Sequence, residues 1–68
     1  DINESLGKPC DVYLRIPAER TGQGKVQISL RGSVHELPAV TNGPLLASGT
    51  HVRVTEVIDN ALLLVEHI

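Results

Sequence analysis

Sixty-eight residues with 41% apolar content make one small domain, near the lower limit at which a core holds without disulfides or metal. A net charge of −2 and a pI of about 5.8 supply no field that draws the chain to nucleic acid or anionic lipid. The lone Cys10 cannot form an internal disulfide, and the longest wholly apolar run, Ala61–Val65, is far too short to cross a membrane. With no methionine and no basic-then-apolar leader, the chain reads as part of a longer protein, any membrane attachment lying outside it.

Residues 1–8 are polar and without periodicity, and are expected to be a flexible lead-in or linker remnant; residues 9–68 are expected to form the domain. Cys10–Ile16 alternates strictly, which predicts a strand with Cys10, Val12, Leu14 and Ile16 inward and Asp11, Tyr13 and Arg15 outward. Pro17 ends it. Ala18–Gly24 is a loop whose GxG pair would cradle phosphate only if a helix followed, and here a strand follows.

From Gly24 to Val40 two alternating runs flank Gly32-Ser33, which predicts a hairpin with a type II′ turn at that pair. Arg31 then faces Val34, Leu30 faces His35, Ile28 faces Leu37 and Val26 faces Ala39. The last three pairs form one apolar face, with His35 capping its open end. The other face, from Lys25 to Arg31 and from Val34 to Val40, is expected to be the wetter one.

Thr41–Gly49 holds Asn-Gly-Pro and Ser-Gly breakers and has room for no more than one helical turn. His51–Ile58 resumes strand character, and the phase switch between Val54 and Val57 predicts a bulge at Thr55-Glu56. Asp59-Asn60 reads as a tight turn. The consecutive apolar residues of the last strand, Ala61–Glu66, imply burial on both faces or an edge covered by another chain. Five short strands without a convincing helix favour an all-β, partly open five-stranded Greek-key barrel of the OB type. An SH3-like barrel is the main competitor, and strand count alone does not separate the two.

Motifs for chemistry are sparse. His35, His51 and His67 have no metal-ligand spacing, and Cys10 reads as a small buried apolar residue. No nucleophile-elbow sequence surrounds Ser5, Ser29, Ser33 or Ser48, so no catalytic residue, metal or cofactor is expected. OB barrels commonly bind single-stranded nucleic acid through aromatic platforms and a basic groove. Here Tyr13 is the one aromatic residue, and Arg15, Lys25, Arg31 and Arg53 read as solvated charges more readily than as a basic strip.

The segments GKPCDVYLRIPAERTGQGKVQISLRGSVHELPAV and SGTHVRVTEVIDNALLLVEHI resemble the C-terminal soluble domain of NfeD-like proteins. Gly7, Gly24-Lys25-Val26, Gly32 with Ala39, Gly49 with Val52 and Val54, and Leu63 with Val65 carry the family's pattern, while Leu37 stands where many relatives have an aromatic residue. The resemblance implies an OB-like barrel lacking the usual helix between strands three and four. It also implies a parent with transmembrane helices before this domain and, in longer relatives, a ClpP-class serine protease domain further upstream. The function it implies is a noncatalytic interaction module on the cytoplasmic side, acting with stomatin, prohibitin or flotillin-type (SPFH) membrane proteins. The alternative reading is a single-strand-binding OB domain, and self-association through the apolar last strand is a third. Because Tyr and Arg are enriched at binding hot spots, the contact surface is expected on the outer faces carrying Tyr13, Arg15, Arg31 and Glu36.

Overall fold

The computed structural model describes residues 1–68, all of them in one β-barrel with two short 3-10 turns. The strands are β1 (Pro9–Leu14), β2 (Gly24–Leu30), β3 (Ser33–Val40), β4 (His51–Ile58) and β5 (Leu62–His67). They close in the order β1-β2-β3-β5-β4, every neighbouring pair antiparallel except β3 with β5. That order is the OB arrangement and removes the SH3-like alternative. No helix separates β3 from β4. The segment between them crosses back to β1 instead, where Ile16 and Leu46 exchange main-chain hydrogen bonds at 2.9 Å in each direction.

The interior is aliphatic. Ile16, Val26, Ile28, Val52, Val54, Leu63 and Val65 are almost completely buried, and each such side chain contributes about 1.5–3 kcal/mol by leaving water. The consecutive apolar residues of β5 find cover within the one chain. Leu63 and Val65 point into the core, while Leu64, beside Val40 across the short β3–β5 seam, is buried next to the Thr41–Pro44 segment. Val40 therefore departs from the wetter face expected for it. The bulge expected at Thr55-Glu56 is present, since Val54 pairs with Val65 but Glu56 with Leu64, and Asp59-Asn60 turns β4 into β5.

Three further sequence expectations are corrected. The β2–β3 turn lies at Arg31-Gly32, one residue earlier than expected, with both residues at positive φ (50° and 79°) as a type I′ turn requires. Leu30 faces Ser33, Ile28 faces His35 and Val26 faces Leu37. Each partner is displaced by two residues, so the faces keep their membership. The reason lies in Pro38. The expected register puts it where a backbone N–H must bond to β2, whereas the observed one puts it at an unbonded position beside Lys25.

The second correction concerns β1, which bulges between Val12 and Leu14. Leu14 consequently leaves the inner face and is 50% exposed, while Ile16 is restored to the core beyond the bulge. Gly24 makes this possible. A Cβ there would collide with the carbonyl oxygens of Leu14 and Arg15, so only glycine lets the bulged strand lie so close.

The third concerns residues 1–8, which are folded. Asp1 caps the 3-10 turn Ile2–Ser5, its carboxylate accepting from the Asn3 N–H at 3.1 Å, and Ile2 packs on the core. Gly7 donates to the Val54 carbonyl at 2.9 Å, and Val54 donates to Lys8 at 3.0 Å. This turn ties the two hairpin tips: Glu4 accepts from Arg31 Nε at 2.7 Å, and Asn3 donates to Asn60 at 2.8 Å.

Candidate functional site

The outward rows of the sheet follow from the registers. One row runs His51, Asp11, Gln27, Glu36 across β4, β1, β2 and β3. The next runs from the β1 bulge through Lys25 to Pro38. A bulge gives one strand an extra residue, so Tyr13 and Leu14 both reach solvent there, 44% and 50% exposed. The Tyr13 carbonyl is held by the Ser48 hydroxyl at 2.9 Å, and Arg15 follows, exposed. The bulge thus presents an aromatic ring and an aliphatic chain side by side, with Arg15 and Lys25 as the neighbouring cations.

The four residues expected to form one surface do not all meet. Tyr13 and Arg15 share the bulge, and Glu36 lies one row away. Arg31 sits at the far tip of the hairpin and is engaged with Glu4, whose carboxyl it holds below the usual range by hydrogen bonding. Arg53 donates to the Gly7 carbonyl at 2.9 Å on β4, so the four basic residues do not line up as a strip. Sequence reasoning missed Leu14 because strict alternation through Cys10–Ile16 conceals a bulge. It also missed Val34, 70% exposed near the hairpin tip.

Few chemically versatile side chains meet. Asp11 and His51 touch each other on the outer face, while Cys10 points inward, 7% exposed, its thiol pushed up to about 11 by burial. Cys10 and the Asp11–His51 pair border one shallow, open cavity of about 270 Å³, which Pro9 and Ile68 also line. A thiol held neutral at pH 7 and turned from the imidazole is not an activated nucleophile. A second cleft of about 260 Å³ lies between Thr41–Pro44 and the end of β5, with Glu66 and His67 on its lip. His35 stands alone on β3, and no three His, Cys, Asp or Glu side chains converge as a metal cage.

The fold has solved counterparts. The soluble domain of the NfeD protein YuaF from Bacillus subtilis is similar at 29% identity and a TM-score of 0.73, the match covering 90% of this chain and 70% of that one. The soluble domain of a membrane protein implicated in regulation of membrane protease activity, from Corynebacterium glutamicum, shares the fold at 22% identity and the same TM-score, covering 98% of this chain and 97% of that one. No family model matches, nor does any curated protein. No helix is long and apolar enough to cross a membrane.

Proposed function

We propose that this chain, an NfeD-like domain, serves as a noncatalytic protein-interaction module of a membrane-anchored parent, on its cytoplasmic side, with a stomatin, prohibitin or flotillin-type protein as partner. The observation that carries the reading is the β1 bulge. Bulges re-aim side chains, and this one spends a glycine beneath it to hold Tyr13 and Leu14 in solvent beside Arg15 and Lys25. An amphipathic ring, an exposed aliphatic chain and flanking cations suit a protein contact. Single-strand binding is less well supported. Tyr13 is the one base-stacking ring, and Asp11 and Glu36 place carboxylates on the β1–β3 face such ligands use.

The test is mass-spectrometric identification of what copurifies with the membrane-anchored parent, with and without this domain. Domain-dependent recovery of an SPFH protein, diminished by Tyr13→Ala, is the expected result. Recovery of nucleic acid, or of the same proteins without the domain, overturns it.

A further inference from the structure

Between Ser33 and Leu37, β3 has β2 on one side and no strand on the other. β5 joins it only at Ala39 and Val40, and no main-chain hydrogen bond outside the ladders reaches Ser33–Leu37. The groups left free follow from the turn. In a two-residue hairpin the flanking pair, Leu30 and Ser33, exchanges hydrogen bonds, so Ser33, His35 and Leu37 bond inward to β2. Val34 and Glu36 therefore aim their N–H and C=O groups outward, and Ser33–Glu36 are all exposed. Pro38, which has no N–H to offer, stops the open edge just before β5 begins.

We propose that this edge accepts an extended segment of a protein partner as an added antiparallel strand, with a basic residue opposite Glu36 and an apolar one two positions later, opposite Val34. The charge preference comes from the row His51, Asp11, Gln27, Glu36. Asp11 has a hydrogen-bond partner in His51, whereas Glu36 has no ion-pair or side-chain hydrogen-bond partner and ends the row at the open edge. An incoming cation there meets an unmatched carboxylate, and an incoming acid meets repulsion. The apolar preference comes from Val34, 70% exposed on the same face. Main-chain bonds supply affinity in this mode, and alternate side chains supply selectivity.

The proposal rests on the interaction-module reading but is tested separately from it, on the chain itself. The probe is the peptide Ac-Val-Thr-Lys-Thr-Val-Thr-NH2, titrated into the isotope-labelled chain while amide shifts and solvent exchange are followed. Val34 and Glu36 amides are expected to shift and gain protection, with affinity about fivefold weaker when the peptide lysine is replaced by glutamate. Glu36→Pro removes one outward donor at a position of the kind Pro38 already occupies, so it abolishes binding while leaving thermal unfolding nearly unchanged; Val34→Pro repeats the test. Unmoved Val34 and Glu36 amides at near-millimolar peptide, or equal response to the lysine and glutamate peptides, overturn the proposal. A chain that binds the peptide at this edge while its parent recovers no SPFH protein refutes the choice of partner alone.

Discussion

The hairpin of β2 and β3 and that of β4 and β5 both turn through residues at positive φ, Arg31-Gly32 in one and Asp59-Asn60 in the other. Their fates differ because of one residue. β4 bulges at Thr55, which lets it pair with β5 along its length and with β1 at its start, so the hairpin wraps around the core. β2 and β3 pair without interruption from Gly24–Ala39 to Leu30–Ser33. β2 stays in the core to its last residue, Leu30, but the first four residues of β3, with no strand on their other side, are exposed where the middle of β5 is buried. In so small a barrel, pairing on one side or on both decides which strand segment is covered and which keeps an open edge.

The sharpest way to break this contrast is to truncate one apolar residue in each hairpin. Leu63, fully buried at the β3–β5 seam, should lose about 2–5 kcal/mol on Leu63→Ala, a large share of the stability of a domain this size. Val34→Ala at the open tip should stay within about 0.5 kcal/mol. Denaturant titration of both variants decides it: a loss at Val34 approaching that at Leu63 would show the tip to be part of the core.

A smaller loss is expected from Gly24→Ala, at the root of the β2–β3 hairpin. The added methyl meets main-chain oxygens of Leu14 and Arg15, which cannot rotate away, so the bulge must move at a cost of about 1–3 kcal/mol. Because Tyr13 and Leu14 are displayed by that bulge, partner binding should fall together with stability. Retained stability with an unchanged Tyr13 amide environment would mean that the bulge does not depend on this glycine.

These differences also explain what could be read in advance. The β4 bulge and the Asp59-Asn60 turn were legible because the valines change phase between Val54 and Val57 and the turn residues tolerate positive φ. The β2–β3 turn was misplaced by one residue because arginine rarely adopts positive φ, which made Gly32-Ser33 look the better pair. The missing N–H of Pro38 held the answer. At the surface, Tyr13 and Arg15 fall together because both lie on β1, but Arg31 is carried to the far tip by the ribbon and engaged there by a segment that looked like linker. Periodicity reports which side of a strand a residue takes; it says nothing of how far along the barrel the strand runs.

The smallest effect tests how the two tips are held. The 3-10 turn grips the β2–β3 tip through Glu4 and Arg31 and the β4–β5 tip through Asn3 and Asn60, one contact charged and the other a neutral amide pair. Glu4 titrates below the ordinary carboxylate range because Arg31 hydrogen-bonds its charged form. A carboxyl with a lowered folded pKa adds stability at pH values above its unfolded value, and that contribution fades as pH falls through the folded one. Acidification should therefore loosen the grip at Arg31 while the Asn3–Asn60 contact persists. In amide-exchange measurements the Leu30 and Ser33 amides, which close the β2–β3 turn, should lose protection on acidification before that of Ala61, which donates to the Ile58 carbonyl at 3.0 Å, after correction for the intrinsic exchange rate. Glu4→Gln should reproduce the loss at neutral pH, and added salt should weaken the wild-type contact toward it. Simultaneous loosening of both tips would mean that the turn acts as one unit, held by the packing of Ile2 and the Gly7–Val54 bond rather than by its separate side-chain contacts.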